Sequence, residues 1–190
     1  LKELNRRGLI LVDITQNIKA FSQSNKHKLE GLNQVEIELL VAKINTLPST
    51  PKYARLRALF CLLTFQGLRQ IEIVRLNVED LYLANKKVSI LGKGRDDKES
   101  IYLLPETVRA LRLHLKLNKV SMGAVFKSLG NRKSERVTTK TINRELKSLF
   151  GETGVDKTVH GLRHYYITKL LEIFDVRDVR KFSRHRSLEM

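Results

Sequence analysis

The chain has 190 residues, enough for one ordinary domain, and its 36 lysines and arginines against 20 aspartates and glutamates give a net charge of +16. Hydrophobic residues make up 42% of it, which allows a packed core, while the single cysteine, Cys61, excludes an intramolecular disulfide and a cysteine-rich metal site. No apolar run is long enough to cross a bilayer, so we expect a basic globular protein of the cytoplasm, not bound to a membrane, whose partner is a polyanion such as nucleic acid.

The amino-terminal 28 residues are polar and have only a weak helical pattern. Their last part, SQSNKHK at residues 22–28, is typical of a linker. The compact domain is therefore predicted to span residues 29–190. Because the chain starts at Leu1 without a methionine, we expect it to be a piece of a longer protein.

Three helices are predicted before residue 77. Asn33 followed by Glu36 resembles a capping box at the start of the first helix. Thr50-Pro51 is a favourable N-cap and first-turn pair for the second, which Gly67 is predicted to end. A short third helix is predicted over residues 69–76.

The hydrophobic period changes to that of strands in the next stretch. Short β-type runs occupy residues 81–83, 88–91 and 100–103, and turn residues separate them, including Gly-Lys-Gly-Arg-Asp-Asp at 92–97. This pattern predicts an antiparallel meander of three strands.

Helix-start and helix-stop signals alternate after the meander. Pro105 is predicted to start one helix, and Thr138 or Thr139 the next, which Gly151 is predicted to stop. Thr158 is predicted to cap a helix over residues 160–174, and Asp175 to start the last helix. The predicted fold class is therefore α+β, mostly helical with one small three-stranded antiparallel sheet.

Positive charge is concentrated in one segment. Residues 109–147 contain eleven lysines and arginines and only two acids, Glu135 and Glu145. A single charge run is as typical of a solvated face as of a binding surface, but an excess this one-sided repels itself unless phosphates neutralise it. We therefore predict that this segment faces nucleic acid. The residues expected near backbone phosphates are Arg132, Lys133, Lys140 and Arg144.

Several basic residues stand beside structural breaks. Arg69 follows the Gly67 turn at a helix start, and Glu72, one helical turn later, is placed to orient it. Lys93 lies between two glycines at a predicted hairpin tip. Two histidines complete the set. His160 shares the first turn of a predicted helix with Arg163, and His185 follows Arg184. If these groups converge, they form a pocket for one phosphate with proton donors beside it.

The order and wording of these motifs resemble the tyrosine recombinase (phage integrase) family over about residues 30–190. Residues 64–72, TFQGLRQIE, resemble the family's "TGLR..E" box, and Leu-Gly-Lys-Gly at 91–94 is similar to its hairpin lysine motif. Residues 160–164, HGLRH, match the pattern H-x-L-R-H. Arg184-His185 stands where the family has Gly-His.

The resemblance implies the catalytic-domain fold of this family, mostly helical with a small antiparallel sheet, and DNA strand cleavage and rejoining through a 3′-phosphotyrosyl intermediate. Arg69 and Arg163 would clamp the phosphate oxygens, Lys93 would protonate the departing 5′ oxygen, and His160 would assist proton transfer at the nucleophile. His185 would hydrogen-bond the phosphate. Cationic side chains take the place of a metal, so no metal or other cofactor is implied.

The resemblance also implies partners. Double-stranded DNA is the expected substrate. The full-length protein is expected to assemble on DNA as a homo-tetramer, and these 190 residues are expected to be monomeric. Residues 1–28 would be the linker or tail of an N-terminal DNA-binding domain.

Two departures from the family pattern stand out. Arg184 replaces the usual glycine, and the nucleophilic tyrosine, which the family places two to three helical turns after the last histidine, is expected beyond Met190. Tyr165 and Tyr166 lie inside the helix of the H-x-L-R-H box and are expected to pack beside the site. These 190 residues are thus expected to bind DNA without completing cleavage.

Other functions fit part of the same pattern. A DNA-binding relative that has lost its nucleophile would keep the basic surface, and a type IB topoisomerase would keep the arginine, lysine and histidine set. A basic RNA-binding or ribosomal protein fits least, because it does not need the ordered set of motifs.

Overall fold

The computed structural model describes residues 6–8, 31–92, 96–128 and 136–184. Its first long helices are α1 (Gln34–Thr46) and α2 (Pro51–Thr64). Asn33 and Glu36 form the reciprocal capping box that the sequence predicts, and the Thr50 hydroxyl caps α2. Helix α2 is buried along most of its length and forms the centre of the core.

A short helix and a small sheet follow α2. Helix α3 (Gln70–Arg75) is followed by a 3₁₀ turn and the strands β1 (Leu81–Tyr82), β2 (Lys87–Leu91) and β3 (Lys98–Tyr102). The strands pair antiparallel in the order β1-β2-β3. Every second residue of β2 points into the core, as expected for a sheet with one solvated face.

Four further helices complete the described part of the chain. They are α4 (Pro105–Leu117), α5 (Thr139–Thr153), α6 (His160–Leu171) and α7 (Val176–Ser183). Helices α4 and α6 pack against α2, while α7 packs on α6 and α5 packs against α1, α2 and α3. The architecture confirms the predicted fold class, mostly helical with one small three-stranded antiparallel sheet.

Two predicted helix signals are wrong, and two predicted helix ends lie beyond the observed ones, because α2 ends at Thr64 rather than at Gly67 and α6 ends at Leu171 rather than at residue 174. Gly151 does not end α5, because Gly154 is the residue that adopts the left-handed conformation, at φ 72°, and caps the helix. Thr158 does not cap α6, whose N-cap is Val159 without a side-chain hydrogen bond.

None of the helices in the described part of the chain is both long enough and apolar enough to cross a membrane.

Candidate active site

The turn after α2 forms the centre of the candidate site. Gly67 has φ 56°, a conformation that favours glycine, and a Cβ added there would overlap the ring of Tyr166. Its carbonyl oxygen accepts hydrogen bonds from Arg163 Nη1 and, at 3.3 Å, from Arg184 Nη2. The glycine thus makes room for the Tyr166 ring, and its carbonyl is shared by two guanidinium groups.

Arg69 is held by the helix that it precedes. Its amide donates to Glu72 Oε2 at 2.7 Å and its Nη1 to Glu72 Oε1 at 2.9 Å, so one carboxylate orients both the backbone and the side chain. Arg69 Nη2 donates to the carbonyl of Arg184 at 3.0 Å. A quarter of the Arg69 side chain, 25%, remains exposed, whereas that of Glu72 is fully covered.

Arg163, on α6, is one of the largest fully buried side chains of the protein. Its Nη1 donates to the Gly67 carbonyl and its Nη2 to the carbonyl of Ser183. Burial, followed by the charges of Arg69 and Arg184, lowers the pKa of Arg163 to about 9. The group still carries its proton at neutral pH, and an anion beside it would relieve the repulsion.

His160 lies one turn before Arg163 on α6 and keeps a solvent-exposed face. Its ring meets that of His164 edge to face, with centroids 4.7 Å apart. Partial burial lowers the pKa of His160, and the charges of His164, Arg163 and Arg69 lower it further. At neutral pH the imidazole is therefore uncharged, with a ring nitrogen able to accept a proton.

Arg184 joins the same cluster, although the sequence marks it only as a departure from a motif. It ends α7 in the left-handed conformation, at φ 56° and ψ 39°. Its Nη2 lies 3.1 Å from Glu72 Oε2, and its Nε is buried without a partner. Its signal in the sequence is a cation in place of a glycine directly beside a candidate site residue.

The electrostatics of the cluster are unbalanced. Within the described residues it sets three guanidinium groups, those of Arg69, Arg163 and Arg184, against the single carboxylate of Glu72. Burial opposes ionisation of Glu72, but the charge of Arg184 and hydrogen bonds from Arg69 outweigh it and lower the pKa of Glu72. The arrangement suits an anion with several oxygen acceptors.

The structure brings part of the predicted set together. Arg69, Glu72, His160 and Arg163 lie in one cluster, as their contacts and mutual electrostatics show. Four predicted site residues lie outside the described residues. These are Lys93, His185, Arg132 and Lys133.

The predicted DNA contacts Lys140 and Arg144 lie on the exposed side of α5. Between them, Asn143 exchanges two amide hydrogen bonds with Gln70, at 2.9 and 3.2 Å, and Gln70 directly follows Arg69. These two hydrogen bonds hold α5 beside α3, the helix that carries Glu72.

Among the residues that the structure describes, no group of three or more His, Cys, Asp or Glu side chains is placed to hold a metal ion.

Comparison with protein families gives one match that covers most of the chain. The model of the "Phage integrase family" matches residues 30–190. Among curated proteins, the chain is 30% identical over 195 residues to "Tyrosine recombinase XerC" of Lactobacillus delbrueckii subsp. bulgaricus, covering 97% of this chain and 64% of that protein. It is 30% identical over 194 residues to "Tyrosine recombinase XerD" of Lacticaseibacillus casei, with the same coverage of 97% and 64%. The chain therefore spans a little under two thirds of the length of these relatives.

Solved structures share the fold. XerA recombinase superposes with a TM-score of 0.72 at 24% identity, covering 98% of this chain and 65% of that one. XerH site-specific recombinase, bound to a palindromic difH substrate in a post-cleavage complex, gives 0.73 at 26% identity, covering 91% and 51%. A lambda integrase (75–356) dimer bound to a COC′ core site gives 0.70 at 15% identity, covering 100% and 68%.

Proposed function

Because this chain belongs to the phage integrase family, we propose that it is the catalytic domain of a site-specific DNA recombinase that cuts and rejoins strands through a 3′-phosphotyrosyl intermediate. The observation that carries the proposal is that Arg69, oriented by Glu72, and Arg163, bound to the Gly67 carbonyl, meet at the turn after α2. Preformed cations stabilise the charge that develops on phosphorus without a cost of reorganisation during the reaction.

The proposed reaction is an in-line exchange at phosphorus. A tyrosine oxygen bonds to the scissile phosphorus and the bond from phosphorus to the 5′ oxygen breaks. Arg69 and Arg163 hold the non-bridging oxygens, and uncharged His160 takes the proton of the tyrosine hydroxyl. Lys93 returns a proton to the 5′ oxygen, and His185 donates a hydrogen bond to the phosphate. The roles of Lys93 and His185 rest on the motif resemblance.

The two tyrosines of α6 have packing roles in this proposal. The Tyr165 hydroxyl donates to the side chain of Gln34 at 2.8 Å. The ring of Tyr166 covers Gly67. Both contacts tie α6 to neighbouring elements, and the proposal assigns neither hydroxyl to attack.

Double-stranded DNA is the proposed substrate. The support is the basic side of α5, with Lys140 and Arg144 exposed and α5 fixed beside Arg69, together with the DNA complexes of XerH and lambda integrase. We place Arg132 and Lys133 on the same surface from their sequence alone. Assembly as a tetramer on DNA by the full-length protein, and a monomeric state for these 190 residues, are further parts of the proposal.

A covalent adduct tests the reaction. Duplexes are first selected from random DNA by binding, and the full-length encoded protein is then given a nicked suicide form of the selected duplex. We expect a protein–DNA band that survives denaturant, with the DNA linked to a tyrosine by mass spectrometry. No adduct at any pH would reject the proposed function. Relaxation of supercoiled plasmid without regard to sequence would indicate a topoisomerase instead.

A further inference from the structure

Arg184 combines a costly backbone conformation with a buried side chain. A non-glycine residue at φ 56° lies in the left-handed region, which is less favourable than the right-handed region because its Cβ crowds the following carbonyl. Glycine, which the resembled motif has here, would avoid this cost. Unlike Lys86 and Lys119, which have a similar φ and are exposed, Arg184 buries its side chain against other residues.

Those contacts lead directly to Arg69. Arg184 Nη2 binds Glu72 Oε2 at 3.1 Å, with side chains only 4% and 0% exposed. The same Glu72 oxygen accepts the amide of Arg69, and the other oxygen accepts Arg69 Nη1. Arg184 also meets Arg69 through the backbone, because its carbonyl accepts Arg69 Nη2 at 3.0 Å.

We propose that Arg184 is a positioning residue for strand cleavage, which fixes the Arg69 guanidinium toward the scissile phosphate through the Glu72 carboxylate that the two arginines share. The inference rests on the proposed function. It concerns orientation rather than contact with DNA, because Nη1 of Arg184 donates to Phe182, Nη2 is turned toward Glu72 and Gly67, and Nε is buried.

The role depends on the charge of Glu72. Its two oxygens together accept three hydrogen bonds, which favours the ionised form, because a protonated carboxyl would turn an O–H donor toward these donors. Arg69 faces it from the start of α3, Arg163 and Tyr166 lie on α6, and Arg184 comes from the end of α7. Burial favours the neutral form, and the charge of Arg184 is the largest influence against it. Without that charge, protonated Glu72 would lose an acceptor for Arg69.

Arg184→Gly removes the guanidinium and relieves the backbone, so the variant is expected to fold. In the full-length protein with the nicked selected duplex, we expect adduct formation to slow relative to wild type, and to slow more at the acid end of the pH range than at the alkaline end, because loss of the Arg184 charge favours protonation of buried Glu72. Arg184→Lys should restore the pH profile in part. Lys181→Ala, which removes an exposed charge from the same helix, is the matched control and should match the wild type.

Two further measurements separate the role from general damage. Carbon NMR of the Glu72 carboxylate in the 190-residue chain should show a higher pKa in Arg184→Gly. In a Glu72→Gln background, Arg184→Gly should slow the adduct no further. An equal slowing in both backgrounds, or an unchanged Glu72 pKa and pH profile, would overturn the proposal. No adduct from the wild type would instead reject the recombinase function itself.

Discussion

Two arginines, Arg55 on α2 and Arg163 on α6, are each only 2% exposed, and their surroundings differ in charge. Arg55 Nε faces both oxygens of Glu145, at 3.0 and 3.1 Å, and its Nη1 donates to the Lys127 carbonyl at 2.7 Å. Arg163 is bound to backbone carbonyls and lies among other arginines. The first guanidinium is matched by its own carboxylate and stabilises the fold. The second lies in a cluster whose one carboxylate is shared, which leaves charge for a phosphate.

The largest expected effect separates the two arginines by chemistry. Arg163→Ala should slow covalent adduct formation by about 10³- to 10⁵-fold, as for other arginines that stabilise phosphoryl-transfer transition states. Duplex affinity should change little, because binding depends on many phosphate contacts. Single-turnover adduct assays and binding curves, with circular dichroism to confirm folding, measure both.

Arg163→Lys and Arg55→Ala are the controls for this comparison. Lysine keeps the positive charge but loses the bidentate donor geometry of arginine, so adduct formation by Arg163→Lys should also be slower than that of the wild type. Arg55→Ala should retain the wild-type rate per folded molecule. Comparable rate losses at the two positions would remove the distinction between them.

Stability should depend on Arg55 through its ion pair. Arg55→Ala leaves Glu145, whose side chain is 22% exposed, without its partner, which should lower the free energy of unfolding by about 3 kcal/mol, the low end of the range for a buried pair. Replacing both members of the pair by methionine should recover much of this loss, because hydrophobic residues of similar volume need no counter-charge. Urea denaturation measures both variants. A loss below about 1 kcal/mol in the single variant would contradict a structural role.

The Arg55 region should also give the protein its acid sensitivity. His114 Nε2 lies 2.9 Å from the Val125 carbonyl and the ring stacks on Phe126 at 4.7 Å. Burial lowers the pKa of His114 to about 4; the bond to Val125 opposes this shift and the charge of Arg55 adds to it.

Because the unfolded chain binds this proton at about pH 6.5 and the folded chain only near 4, stability should fall as the pH drops from 6.5 to 4, by about 3 kcal/mol in all. His114→Gln should flatten this dependence in unfolding experiments between pH 7 and 4. A His114→Gln variant with the wild-type slope would place the acid sensitivity elsewhere.

A small anion should distinguish the cluster around Arg163 from the surroundings of Arg55, because we expect it to bind only at the cluster. Inorganic phosphate at ten times its dissociation constant should stabilise the wild-type chain by about 1.4 kcal/mol. That corresponds to a rise in Tm of roughly 3–5 °C for a domain of this size. Arg55→Ala should keep this rise and Arg163→Ala should lose it, at ionic strength matched with chloride. An equal rise in Arg163→Ala would place the anion outside the cluster.

The smallest effect concerns the basic side of α5. Arg144→Ala should weaken binding similarly across DNA sequences and reduce the salt slope of the binding constant by about one unit. Lys43→Ala is the control, because Lys43 pairs with Glu152 at 3.0 Å. A salt slope that Arg144→Ala leaves unchanged would reject its placement at a DNA phosphate.

Local signals account for what the sequence predicts well. The capping box at Asn33 and the pair Thr50-Pro51 depend on residues a few positions apart, and the structure contains both. Gly151 misled the prediction because two nearby glycines can each end α5; in the structure Gly154 adopts the left-handed conformation, and the Val155 amide donates to the Phe150 carbonyl. Sequence patterns mark candidate caps but do not rank them.

The contacts of the site also divide into local ones that the sequence predicts and long-range ones that it does not. Arg69 and Glu72, three residues apart, are predicted as a pair and form one. The contact from Arg184 to Glu72 spans 112 residues and depends on how α7 packs on α6, and the ion pair of Arg55 with Glu145 spans 90. No local pattern specifies such contacts. The family resemblance does not predict the Arg184 contact either, because the family has glycine there.

Gly67 also has a consequence for how this gene can change. Every single-base change of a glycine codon that alters the residue introduces either a Cβ or a stop. At position 67 a Cβ meets both a left-handed backbone and the Tyr166 ring, and a displaced turn would move the carbonyl that receives Arg163 and Arg184. Position 67 is therefore expected to tolerate almost no substitution, although its residue contributes no side chain to the cluster.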